Sequence, residues 1–153
     1  MGDASDNRPE PDQHSSVGAW AKRYYFANRA MMESILRPYG LGSTQWFVLY
    51  ELVNTGPTMQ RDLAQRLHLE RATLSGVVAT LVRKALVEQA TGDDQRQRLL
   101  TITDAGRVLW NSLPDPVEIT KAIALDGADP ADIEIAIRVL KSAAEQVEGH
   151  VAG

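Results

Sequence analysis

Residues 91–106 read TGDDQRQRLLTITDAG. Thr91-Gly92-Asp93-Asp94 is turn chemistry, small and acidic residues that accept tight backbone angles. Arg98 to Thr103 alternates and is rich in β-formers, which predicts a strand. Leu86 to Ala90, on the other side of the turn, can be its partner. The pair makes a β-hairpin with Arg96 and Arg98 near its tip. Alternation sends those two arginines to one side and Gln95 and Gln97 to the other. Thr103 then begins a helix as its N-cap, ahead of "DAGRVLWNSL".

Helices precede the hairpin. "LERATLSGVVATLVRKALV", residues 69–87, predicts a helix from about 70 to 84. Leu74, Val77, Val78 and Leu81 follow the i, i+3, i+4, i+7 pattern of one buried face. Thr58 is the expected cap of a short helix through Leu67, with Leu63, Ala64 and Leu67 inward. Ser43 is the expected N-cap of the helix before it, which carries Trp46, Leu49 and Val53 and stops at Gly56-Pro57. The first helix runs from residue 17 to Pro38, with Trp20, Tyr24, Ala27, Met31 and Ile35 at helical spacing. After the hairpin, Pro114 and Pro116 break or bend the next helix. Asp129 caps the last one, whose stripe is Ile133, Ile137, Leu140, Ala144 and Val147.

A short helix, a tight connection, a second helix and a hairpin make a winged helix-turn-helix. The expected fold is therefore mostly α with a small β wing. The expected organisation is a disordered arm over 1–16 and a single domain over 17–153. Within it, residues 43–106 form the winged lobe, while 17–40 and 107–151 supply the helices of a dimerisation lobe.

Composition sets limits. The 153 residues include no cysteine, which excludes disulfides and thiolate metal sites. His14, His68 and His150 stand apart, without metal-ligand spacing. No Ser-His-Asp set, phosphate loop or catalytic carboxylate pair can be assembled, so no enzyme, metal or cofactor is expected. No apolar run approaches a membrane span, and "MGDASDNRPEPDQHSS" lacks the apolar core of a signal peptide, so a cytoplasmic location is expected. The net charge is −4, unevenly spread. Residues 61–98 hold seven basic against five acidic side chains, and residues 99–153 hold four against nine. The positive excess falls on the helix-turn-helix and hairpin.

Three fragments together resemble the MarR family of bacterial transcriptional regulators: "GLGSTQWFVLYEL", "LAQRLHLERATLSGVVATLVRKALV" and "DDQRQRLLTITDAG". Asp94 and Arg96 fall on the family's Asp-x-Arg wing motif, and Thr103 and Gly106 on its Leu-Thr-x-x-Gly. The likeness runs from about residue 17 to 149. Two departures stand out. The family often has Gly-Leu-Val-x-Arg leading into the wing, where this chain has Ala85-Leu86-Val87-Glu88-Gln89. Gly76 stands where many members carry a polar or basic recognition residue.

The resemblance implies a homodimer that binds a pseudo-palindromic duplex DNA operator, as a repressor released by a small molecule. Arg71, Thr73, Ser75, Gly76 and Arg83 are the expected recognition-helix positions, since short polar side chains near a helix N-terminus suit major-groove reading. Asp94, Gln95, Arg96, Gln97 and Arg98 are the expected wing contacts, with an arginine suited to the minor groove. Gly76 permits close approach of DNA or of a neighbouring helix. Many family members bind small aromatic acids between the first helix and the DNA-binding lobe. Trp20, Arg23 and Tyr24, with Trp46, are the expected slot for a flat aromatic carboxylate. The competing reading is a winged-helix protein-interaction module without DNA binding, motivated by the net charge, Gly76 and Gln89.

Overall fold

The computed structural model describes residues 16–92, 94 and 97–153. The expected arm, apart from Ser16, and the wing positions Gln95 and Arg96 lie outside them. The chain divides into two compact units, one ending at Pro116 and a second from Val117 to Gly153.

The first unit opens with α1, Val17–Leu36, capped by Ser16, whose hydroxyl accepts from the Ala19 N–H. A 3-10 turn at Arg37–Tyr39 leads to α2, Ser43–Thr55. Then come β1 (Thr58–Met59), α3 (Gln60–Arg66), α4 (Arg71–Arg83), β2 (Val87–Thr91), β3 (Arg98–Ile102) and α5 (Asp104–Ser112). The sheet order is β1-β3-β2, all antiparallel, with Thr58 opposite Leu100 and Gln89 opposite Leu100 on the other edge. This is a winged helix-turn-helix.

Leu36, Leu49, Leu52, Leu63, Leu74, Leu81 and Leu100 are fully buried together. Each helix from α1 to α4 thus contributes leucines, and the wing closes the core through Leu100. A second layer of rings sits at one end. Trp46 stacks on Tyr50 at 5.2 Å and meets Trp110 of α5 at 5.3 Å.

Three local expectations are corrected. Ser43 is the first helical residue rather than the cap of α2. Gly42 occupies the cap position, and its missing side chain is replaced by Glu33 of α1, which accepts from the Ser43 N–H at 2.8 Å and hydroxyl at 2.6 Å. Thr58 is a strand residue, not a cap; its hydroxyl donates to the Gly56 carbonyl at 2.9 Å, and α3 starts two residues later. The α1 face buried in the lobe carries Met32 and Leu36, whereas Trp20 and Tyr24 remain 53% and 46% exposed.

The second unit holds most of α6, Pro116–Ala124, and α7, Pro130–Ala152. Pro116 starts a new helix where a break or bend is expected, because proline is well placed in a first turn. Asp129 caps α7, accepting from the Ala131 N–H at 2.9 Å. No residue of α7 is buried, and Ile135, Ile137, Leu140 and Val147 are all exposed.

Candidate nucleic-acid interface

The turn between α3 and α4 is set by backbone. His68 takes φ +52, Leu69 donates to the Ala64 carbonyl at 2.9 Å, and the chain re-enters a helix at Arg71. Leu74, Val78 and Leu81 of α4 then point into the core. The side chains left outward are Arg71, Thr73, Ser75 and Arg83, together with Gly76, all exposed. A β-carbon on Gly76 would meet nothing within 4 Å. Among the described residues, then, no neighbouring helix packs on it. Arg83 donates to the Thr80 hydroxyl at 3.0 Å, one turn back along the same helix.

On the wing, the Gly92 N–H donates to the Gln97 carbonyl and the Gln97 N–H to the Asp94 carbonyl, both at 2.8 Å. Arg98 sits opposite Thr91 at the start of β3. Its parity matches that of buried Leu100 and Ile102 and, across the ladder, Gln89. Arg98, in the ladder pair nearest the turn, thus faces the helices. It lines a concavity of about 420 Å³ with Gln60 and Arg61 of α3 and Arg71 and Ser75 of α4.

A side-chain relay closes one side of that concavity. The Gln89 amide donates to Gln60 Oε1 at 2.7 Å, and Gln60 Nε2 donates to Ser75 Oγ at 3.0 Å. Gln60 and Arg61 have no place in the expected site. They open α3, whose cap is Met59, one residue after the expected Thr58.

A second cavity, of about 300 Å³, lies between α1, α2 and the end of α3. Met32, Phe47 and Leu69 give it apolar walls, while Arg29, Thr44 and Arg66 give it polar ones. Arg29 donates to the Thr44 hydroxyl at 3.2 Å, and Arg66 is 3.6 Å from Glu51.

The expected slot of Trp20, Arg23, Tyr24 and Trp46 is not what lines it. At 100° per residue, Trp20 and Arg23 fall on the side of α1 away from Arg29 and Met32, which face the cavity, and Tyr24 lies between the two sides. Arg23 instead lies over the Trp20 ring, 5.1 Å from its centroid. Trp46 is 4% exposed and belongs to the ring cluster with Tyr50 and Trp110. No group of three metal-ligating side chains occurs among the described residues.

Beside the second cavity, Glu33 has its carboxyl held below the usual range. The Ser43 hydroxyl bond is the main cause and burial opposes it; the Ser43 N–H and the charges of Arg29 and Arg37 add to the lowering. Thus one carboxylate fixes the start of α2 next to a guanidinium of the cavity wall.

Residues 39–97, which span the helix-turn-helix and most of the wing, match the sequence profile of the MarR family. Over this segment the chain is similar to the MarR family. It is 35% identical over 68 residues to the uncharacterised HTH-type transcriptional regulator YwoH of Bacillus subtilis (strain 168). That alignment takes in 44% of this chain and 50% of YwoH, so the chain spans about half the length of the curated relative it matches.

Two solved structures extend the likeness beyond the MarR segment. BpsR of Bordetella bronchiseptica, whose DNA binding is regulated by 6-hydroxynicotinic acid, superposes with a TM-score of 0.78 at 22% identity, over 90% of this chain and 99% of that one. The PcaV transcriptional regulator of Streptomyces coelicolor, in complex with its natural ligand, gives 0.75 at 22% identity, over 90% and 98%. At these identities the likeness is one of fold. The family and these neighbours are regulators rather than enzymes.

Proposed function

We propose that this protein is a homodimeric transcriptional repressor that reads a pseudo-palindromic duplex operator in the cytoplasm and is released by a small aromatic carboxylate. The observation that carries the DNA-binding reading is the division of α4. Leu74, Val78 and Leu81 are buried, while Arg71, Thr73 and Ser75 lie uncovered beside a hairpin that brings Arg98 to the same side. A helix so exposed at its N-terminal half suits major-groove entry, and the wing suits the flanking backbone. Arg96, which lies outside the described residues, is the residue proposed for the minor groove.

Exposed apolar surface supports the dimer. Trp20, Tyr24 and Tyr25 on α1 and Ile137, Leu140 and Val147 on α7 are large side chains left in water, which a second copy would cover. No helix among the described residues is long and apolar enough to cross a membrane.

The effector is proposed for the cavity between α1 and α2. Phe47 and Met32 offer faces to a flat ring, and Arg29 or Arg66 a guanidinium to its carboxylate. The fold likeness to BpsR supports that chemistry. The test is duplex binding by fluorescence anisotropy across a salt series, with and without 6-hydroxynicotinate. Binding that weakens steeply with salt and is relieved by the acid is expected. Absence of duplex binding at low salt would return the protein to the class of winged-helix interaction modules.

A further inference from the structure

We infer that the concavity between α3, α4 and β3 is a seat for a phosphate group, with arginine, serine and amide donors in its wall. The inference rests on the DNA-binding reading for its natural occupant, a phosphodiester of the operator, but its chemistry stands separately.

Three guanidiniums line the site, from Arg61, Arg71 and Arg98, and among the described residues no carboxylate does. Arg61 has only a long, exposed contact with Asp62, at 3.9 Å. Arg71 and Arg98 have no ion pair among the described residues. Two further polar side chains complete the wall, and the relay fixes what they present. The Gln60 amide oxygen, which would repel an anion, accepts from the Gln89 amide at 2.7 Å. The Gln60 amide nitrogen donates to Ser75 Oγ at 3.0 Å. Ser75 therefore has its own hydroxyl proton left for an outside acceptor. Arginine forks, a serine hydroxyl and an amide N–H all donate, and a tetrahedral oxyanion only accepts. At about 420 Å³ the space admits a phosphate with its ester neighbours.

The elements matter as much as the groups. Arg61 belongs to α3, Arg71 to α4 and Arg98 to β3. One phosphate held by all three would fix the wing against the recognition helix and so set the register in which α4 meets the bases. Gln89, which stands where many family members carry arginine, serves here by masking an acceptor rather than by adding a charge.

The test uses the full chain and two probes. Binding to a short duplex is followed across a salt series for wild type, Arg61→Ala, Arg61→Lys and Arg107→Ala, the last removing an exposed charge of α5 outside the seat. Arg61→Ala is expected to reduce the salt slope by about one, while Arg61→Lys and Arg107→Ala keep the wild-type slope. Inorganic phosphate is titrated in parallel, following the backbone amides of Arg71 to Ser75 by NMR. It is expected to shift them in wild type, less in Arg61→Ala, and several-fold more weakly in Gln89→Ala, whose Gln60 oxygen is unmasked. Phosphate shifts with an unchanged duplex slope would assign the seat to a free phosphate ligand. An unchanged slope together with no phosphate response would overturn the seat. A wild type that binds no duplex would refute the DNA reading alone, and the phosphate titration would still decide this one.

Discussion

Gly106 stands directly over the backbone carbonyl of Leu86. A β-carbon at Gly106 would fall inside the contact distance of that oxygen and 2.7 Å from Cγ1 of Ile102. The approach is drawn tight by Thr103, whose N–H donates to the Leu86 carbonyl at 3.0 Å and whose hydroxyl donates to the Ala85 carbonyl at 2.7 Å while accepting from the Gly106 N–H at 2.9 Å. Thr103 and Gly106 together clamp α5 to the turn that leads into the wing.

Gly106→Ala must therefore move backbone, not just a flexible side chain. A loss of about 3 kcal/mol is expected, at the upper end for overpacking a well-filled site. Urea denaturation of the two proteins checks it. A loss below about 0.5 kcal/mol would mean the clamp has slack.

Ala85 takes φ +58, in the left-handed region. A β-carbon there costs about 1–2 kcal/mol, and glycine's extra freedom in the unfolded chain gives back about 0.5–1 kcal/mol of that. Ala85→Gly is expected to stabilise the protein by about 0.5–1 kcal/mol, read as a raised denaturation midpoint. The family's glycine at this position then answers a backbone demand and not a DNA contact.

The Glu33 clasp has a direction in pH. Because the folded carboxyl titrates below its ordinary value of 4.5, folding favours the charged form. Its contribution is complete above that value and fades as the pH falls through the lower folded one. Glu33→Gln is expected to cost about 1–2 kcal/mol at neutral pH and much less in acid, where the wild type has lost the same charge. Stability curves that stay parallel from neutral pH to acid would refute the clasp as the source.

For the effector, Arg29→Ala and Arg66→Ala should each be tested against 6-hydroxynicotinate, with Arg23→Ala as the control. Loss of a partly buried carboxylate–guanidinium pair is expected to weaken binding by about tenfold or more in one of the two, and not in Arg23→Ala. Calorimetric titration reads this directly. Equal affinity in all four proteins would remove the ligand from this cavity.

On the wing, Arg96→Ala is expected to weaken duplex binding by about 1–3 kcal/mol and to relax preference at one base position, with the fold intact. Operator affinity unchanged in the folded variant would take the tip out of the interface.

How far the sequence reaches depends on whether a signal is local. Thr103 and Asp129 are legible as caps because the cap and the N–H it accepts from lie two or three residues apart. The buried stripe of α4 is legible from its spacing. What escapes is decided at long range. Thr58 becomes a strand only because Leu100 lies opposite. Ser43 leaves the cap position only because Glu33, ten residues earlier, reaches it. On α1 two apolar stripes coexist, and spacing alone does not say which one the chain itself buries. Ring content points to the stripe through Trp20 and Tyr24 for the cavity, yet the one through Met32 faces it. At the interface, Arg71 and Ser75 are legible, while Gln60 and Arg61 join them only through the packing of α3 beside α4.

The β1–β3 pairing sets an order of assembly. The β2–β3 hairpin joins strands separated by one short turn, whereas β1 reaches β3 only by closing the whole loop from Thr58 to Leu100. Loop closure over that length costs entropy before any contact is gained, so β1 docks after the helices and hairpin have met. With only two residues in the ladder, it is also the first part of the sheet to open in the native state. Hydrogen exchange at the β1–β3 pairing should run ahead of that at the β2–β3 pairing. Gln60 follows β1 directly, so each such opening is expected to loosen its bonds to Gln89 and Ser75 and with them that side of the recognition face.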